Sequence, residues 1–337
     1  MFDFSADKTV VTVLAAMIFV CLFSVHVFAA QLTVGFVAGG EALDDDTFNG
    51  MTISGLRQLQ KEYDLKVEVS SGGFGFEDIR KGLESVIKRN SDVIIINSST
   101  NIDEIIAFTQ HYPDLFFIIN DARIEGYSNV SSIYYDQCMG SYLVGALCGW
   151  QSKTGRVGFI GGNQLPVIMD FLCGFKEGLK ASNNNVQLEV MFVRNGNSRE
   201  GFEDPRQANL LAKRMYASGV DIIYAVAGLS GNGIIQAART SGNFVVGVDS
   251  DQDHMAKGTI LTSMMKRLDV AVYNEVLSIL NGEFVPGSKV YSLSNDGVGL
   301  TEMKYSRHLI AEDLLERLDD LQKKIVAGQI QLNCPDK

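Results

Sequence analysis

Two aspartates stand where this chain could do chemistry. Asp121 closes the apolar run Leu115-Phe116-Phe117-Ile118-Ile119-Asn120, and Asp249 closes Phe244-Val245-Val246-Gly247-Val248. Such runs read as buried strands, so each delivers a carboxylate to a strand's carboxyl end, where open parallel sheets bind ligands. An ionised carboxylate accepts two vicinal hydroxyl donors. One such acid in each half of the chain implies a hydroxyl-rich small molecule held between two sheets.

Other groups collect at comparable places. Asp44-Asp45-Asp46-Thr47-Phe48-Asn49-Gly50 follows the first strand, and its acids and Thr47 suit the capped, positive start of a helix. Phe48 at that junction either stacks on a flat ring or packs into the core. Tyr224-Ala225-Val226-Ala227-Gly228 leads into a glycine-rich turn ending at Gly233. Gly228 and its neighbours either receive a polar ligand edge on their amides or merely permit a tight turn. Tyr224 is the natural second aromatic jaw opposite Phe48. Lys266, where the chain should cross between lobes, either balances Asp121 and Asp249 in the cleft or is a solvated lysine. A cation at a helix start is disfavoured unless something nearby needs it.

Several chemistries are excluded. Asp249-Ser250-Asp251-Gln252-Asp253-His254 alternates acids, but a calcium loop needs glycine at its sixth place and glutamate at its twelfth; His254 and Ile260 stand there. No GxSxG, HExxH, GxGxxG or P-loop occurs, so neither an enzyme nor a cofactor or metal site is expected. Net charge is −11 with no Lys/Arg block, which argues against nucleic acid as a partner.

These groups need positioning elements. Apolar strand candidates at 33–37, 65–69, 93–97, 115–120 and 130–134 alternate with amphipathic stretches at 50–62, 76–88, 103–111 and 139–151. A second series follows, with strands at 156–160, 187–192, 221–225, 244–248 and 259–264 and helices at 169–181, 205–217, 231–240 and 268–280. This is an α/β pattern of two doubly wound parallel-sheet lobes joined by a hinge. Residues 31–134 plus 265–283 should form the N-terminal lobe, and 135–264 plus 284–337 the C-terminal lobe, with crossings near 134–137 and 264–266. Residues 305–332 read as a charged helix packed outside.

The first thirty residues differ. After Lys8, positions 9–30 carry no charged side chain and end in Val27-Phe28-Ala29-Ala30, which reads as a cleaved secretory signal or a retained anchor. Asp3 and Asp7 depart from a positive leader, and Cys21, preceded by Phe19-Val20, lacks the small residue a lipidated cysteine needs. The remaining roughly 300 residues suffice for two domains. Cys138, Cys148, Cys173 and Cys334 show no metal spacing and are expected to be buried free thiols.

With these residues assembled, the chain resembles the basic membrane protein family, which includes bacterial purine-nucleoside receptor lipoproteins. The resemblance runs from about Leu32 to Gly299. It is carried by Asp44 to Asn49, Gly140-Ser141-Tyr142-Leu143-Val144-Gly145, Ser152 to Phe159, Gly174-Phe175-Lys176-Glu177-Gly178, Gly247 to Gln252 and Thr262 to Arg267. It implies a type I periplasmic-binding-protein fold and a monomeric, exported protein, periplasmic or attached to the outer face of the cytoplasmic membrane. Such a protein would capture nucleosides for the permease of an ABC importer. Carried over by position, Phe48 and Tyr224 would sandwich the base and Asn49 would contact its edge. Asp121, Asp249 and Lys266 would hold the ribose, with Gly228 lining the pocket. The family's base-reading acid after the first strand is replaced by Ala38-Gly39, and the lipidation signal is missing. The alternative reading is a surface receptor or adhesin without a transport role. A sugar-repressor-type regulator would need a helix-turn-helix before the first strand, and a nucleoside hydrolase would need an acid cluster; neither pattern is present.

Overall fold

Strands and helices alternate as the hydrophobic pattern requires. The computed structural model describes residues 31–43, 46–182, 185–196, 199–332 and 334. The signal or anchor expected in residues 1–30 and the acids Asp44 and Asp45 lie outside them. The first lobe runs β1 Leu32–Ala38, α1 Phe48–Glu62, β2 Leu65–Ser71, α2 Phe76–Lys88, β3 Val93–Asn97, α3 Ile102–Thr109, β4 Phe116–Asn120 and β5 Val130–Tyr135. The second lobe continues with α4 Gln137–Gln151, β6 Arg156–Gly161, α5 Pro166–Ser182, β7 Gln187–Phe192 and α6 Pro205–Ala217. After these come β8 Ile222–Val226, α7 Gly231–Ser241, β9 Phe244–Asp249 and β10 Ile260–Lys266. The chain returns through α8 Leu268–Leu280, which packs on α1, and β11 Gly287–Tyr291. It then crosses again to β12 Val298–Leu300 and α9 Glu312–Val326.

The strands form two sheets, ordered β11-β5-β4-β3-β1-β2 and β12-β10-β9-β8-β6-β7. Apart from the antiparallel β10–β12 pair, their ladders are parallel. Every residue of β3, β5 and β8 is buried, as expected of parallel sheets covered by helices on both faces. In both lobes the strand order reverses beside the first strand, which opens a crevice at the carboxyl edge.

One element departs from the expected division between lobes. The sequence pattern puts residues 284–337 in the second lobe, but β11 lies on the first sheet, pairing Gly287 to Tyr291 with Ser131 to Tyr135. The reason is that β5 is buried along its whole length. An edge there would leave main-chain groups without partners, and β11 supplies them. The chain therefore crosses three times. The Asp136 amide donates to the Tyr291 carbonyl at 2.7 Å and the Arg267 amide to Gly297 at 3.0 Å, which ties the crossings side by side. Thr47 is the N-cap of α1, but its side chain makes no capping bond.

The second lobe is knit by close helix packing. A Cβ at Gly174 would collide with the carbonyl of Cys138, and one at Gly178 with that of Tyr142. Bare backbone at both places lets α5 lie directly against α4.

Two cysteines correct the free-thiol expectation. Cys138 on α4 is bonded to Cys334, 196 residues later, while Cys148 is a buried thiol and Cys173 a half-buried one. The bridge pins the segment beyond α9 to the first turn of α4. Disulfides persist in oxidising compartments. Replacing Cys334 with serine should lower stability by about 2–4 kcal/mol. Thermal melts should drop in the variant and in the reduced natural protein alike, with reductant leaving the variant unchanged.

Candidate ligand-binding site

The carboxyl edges of both sheets face one cavity, whose empty space of about 660 Å³ includes open solvent. Phe48, Asn49, Asp121, Gly228, Asp249 and Lys266 all line it. Tyr224 does not.

At one end, charge is concentrated. Lys266, the last residue of β10, forms an ion pair with Asp121, which follows β4 in the other lobe. Lys266 is 1% exposed. Its Nζ also lies 5.1 Å from the ring centres of Phe48 and Tyr135 and 5.6 Å from that of Phe171, close enough for cation–π attraction. Asp249 sits next door, because Met265 pairs with Asp249 in the β9–β10 ladder. Both aspartates take left-handed backbone, with φ of 63° and 68°, a conformation that Asp tolerates better than most residues. Each strand thereby ends on a turn, with its acid at the cavity wall.

Tyr224 is fully buried in the middle of β8. Its ring packs against Phe159, Phe171 and Phe175, and its hydroxyl pairs with Ser141 at 3.1 Å. Burial pushes its pKa well above the ordinary tyrosine value, so the phenol stays protonated. A side chain in mid-strand points into a helix layer and not into the crevice beyond the strand's end. The aromatic residues that the second lobe does present are Phe171 and Phe202.

Asn49 lines the cavity but is occupied. Its Nδ2 donates to the carbonyls of Gly39 and Ala42, each at 2.8 Å. Its Oδ1 accepts from the Gly39 amide at 2.9 Å and from Asn97 Nδ2 at 3.1 Å. Two donors and two acceptor sites are the whole capacity of an asparagine amide, so Asn49 holds the loop after β1 and does not read a ligand edge. The chain of bonds continues from Asn97 to Asn120 and from Asn120 to the Tyr135 hydroxyl, beneath the cavity floor.

The turn at 199–204 was missed by the sequence reading. It follows β7 and is fastened to its own lobe: Gly201 donates to Asn163 Oδ1 at 2.7 Å, and Asp204 to Ser230 Oγ at 2.7 Å. It reaches across the cleft. Arg199 Nη1 donates to the Asn97 carbonyl at 3.1 Å and to Ser98 Oγ at 3.2 Å. Glu203 Oε1 accepts the amides of Glu41 and Ala42 at 2.7 and 3.0 Å. Ser250 similarly bonds the Asp46 carbonyl. The rule that singled out Asp121 and Asp249, residues just past a strand's carboxyl end, also points to this turn once β7 is placed in the sheet. Among the described residues, no group of three or more His, Cys, Asp or Glu is placed to hold a metal ion.

Two doubly wound lobes closing on a cavity with aromatic walls and a charged end define a solute-binding protein. A family model described as ABC transporter substrate-binding protein PnrA-like matches residues 32–336, and the chain belongs to that family. It is 32% identical over 330 residues to the Listeria monocytogenes protein named CD4+ T-cell-stimulating antigen, covering 91% of this chain and 89% of that one. Basic membrane protein D of Borreliella burgdorferi is 30% identical over 281 residues, covering 80% and 78%. An ABC transporter solute-binding protein of Aeropyrum pernix K1 superposes with a TM-score of 0.79 at 22% identity, over 91% of this chain and 94% of that one. The architecture is the type I periplasmic-binding-protein fold. The role of the family is solute binding for ABC transport. Among the described residues, no helix is long and apolar enough to cross a membrane.

Behind the cavity wall, Asp253 is buried, with Thr301 Oγ1 donating to it at 3.0 Å and Ser263 Oγ at 3.4 Å. Burial first, and then the nearby Asp251 charge, push its pKa up to about 6. The folded value exceeds the unfolded one, about 3.9. The associated stability is therefore present below about pH 4 and lost as pH rises through about 6. Asp253→Asn should gain on the order of 2 kcal/mol at pH 8 and almost nothing at pH 4. Melts at both pH values check this, and an equal gain at each would contradict it.

Proposed function

We propose that this protein captures nucleosides, purine nucleosides in particular, and presents them to the membrane permease of an ABC importer. The reading rests on one conjunction. A single cavity carries aromatic rings from both lobes, Phe48 from one and Phe171 and Phe202 from the other, together with Asp121, Asp249 and Lys266. A flat base fits between rings, where stacking contributes roughly 1–3 kcal/mol per base. A ribose diol fits an ionised carboxylate that accepts both hydroxyls. Asp249 is assigned to that diol, the Lys266–Asp121 pair to further sugar oxygens, and Gly228 to the cavity wall. The base is assigned to Phe48 and Phe202 in place of Phe48 and Tyr224.

Ligand contacts that join both lobes shift the population toward the closed form. The cross-cleft bonds of Arg199, Glu203 and Ser250 belong to that form, and the permease would recognise it. The protein acts as a monomer without a cofactor and catalyses no reaction. It works outside the cytoplasm, in the periplasm or on the outer face of the cytoplasmic membrane. The Cys138–Cys334 bridge supports export. The relative named as a T-cell-stimulating antigen favours, as the second reading, a surface receptor of the same ligand without transport.

Titration calorimetry with inosine or guanosine tests the assignment. Asp249→Ala should abolish measurable binding while the melting profile stays cooperative. Phe48→Ala should weaken binding by about 1–3 kcal/mol. Unchanged affinity in the first variant removes the sugar assignment, and in the second it returns Phe48 to a packing role. Free base appearing on incubation would replace binding by hydrolysis.

A further inference from the structure

The end of the cavity away from Lys266 carries two more charged side chains, Arg199 and Glu203, and the chain makes room for them. A Cβ at Gly39 would collide with Nη2 of Arg199 and stand 2.7 Å from the Asn97 carbonyl oxygen; a Cβ at Gly40 would collide with Oε1 of Glu203. The side-chain space of two consecutive residues of the first lobe is thus filled by two residues from one turn of the second. Adjacent Cα atoms are about 3.8 Å apart, so Arg199 and Glu203 take neighbouring places along the cavity wall. Both groups are anchored: Arg199 bonds Asn97 and Ser98, and Glu203 Oε1 holds the amides of Glu41 and Ala42.

A guanidinium can only donate and an ionised carboxylate can only accept. This end therefore offers a donor beside an acceptor in fixed order. Asn49 nearby has its amide saturated. Gly39 follows β1 and Asp121 follows β4, two strands further along the sheet. At about 4.8 Å per strand, the two charged ends lie roughly 10 Å apart, the reach from a sugar to the far edge of its base.

We infer that Arg199 and Glu203 read the base and select a lactam edge, a ring carbonyl beside a ring N–H. The inference rests on the nucleoside reading above. Hypoxanthine, guanine and uracil carry that edge, with the carbonyl on Arg199 and the N–H on Glu203. Adenine and cytosine present the reverse order, a ring nitrogen acceptor beside an amine donor. With the sugar held at the opposite end and the ring confined between aromatics, the base has no room to turn over and swap the two.

Calorimetry on the full chain, stripped of bound ligand, decides this with inosine, adenosine, uridine and cytidine as probes. Inosine should bind roughly tenfold or more tightly than adenosine, and uridine likewise than cytidine. In Arg199→Gln and in Glu203→Gln the inosine-to-adenosine ratio should fall to within about threefold. The ratio is the readout because lost cross-cleft bonds weaken both ligands alike. Adenosine binding as tightly as inosine in the natural chain overturns the lactam assignment and leaves the nucleoside reading standing, as does an unchanged ratio in folded variants. Binding of none of the four overturns the nucleoside reading and this one with it.

Discussion

A buried ammonium governs the architecture of this cleft. Lys266 ends a strand of the second lobe, is shut away from solvent and pairs with Asp121 of the first. A charge so placed must be compensated, because leaving one partner of a buried pair alone costs about 3–5 kcal/mol. The compensation comes from across the cleft, so the ends of β4 and β10 have to meet whenever the lobes are closed. The rings of Phe48, Tyr135 and Phe171 around Nζ lower the cost of burial further. Site and closure are thus one arrangement: the residues that would grip a ligand also hold the lobes to each other.

Much of this was legible in the sequence for a simple reason. Strands buried on both faces are apolar throughout, so their carboxyl ends can be counted off directly, and Asp121 and Asp249 stand where that count puts them, whereas Lys266, expected in the crossing, closes the strand itself. The edge strands were less readable. Gly287-Ser288-Lys289-Val290-Tyr291 is mixed in polarity because one side of it meets solvent, and β12 is three residues long. Tyr224 was misplaced by depth. In a five-residue strand, two positions separate a side chain that lines a crevice from one that packs in the core. Phe202 and Arg199 were invisible to periodicity because they lie in a four-residue 3-10 turn, too short to show a pattern, whose value depends on which strand precedes it. The Cys138–Cys334 bridge has no local signature at all, since only folding brings the two ends together.

The motif glycines have two separate explanations. Gly145, Gly174 and Gly178 are about contact between helices, where any side chain would drive α4 and α5 apart, whereas Gly140 makes room for Met264 of β10. Together with three crossings laced by the bonds at Asp136 and Arg267, this leaves few ways to move other than opening and shutting as two blocks.

Gly39 and Gly40 belong to a different bargain. Their emptiness is half of a lock whose other half, Arg199 and Glu203, is encoded some 160 residues away. Neither half tolerates revision alone: bulk gained at the glycines would wedge the jaws, and charges lost from the turn would leave a hollow. A change of size or charge in one stretch thus calls for a matching change in the other.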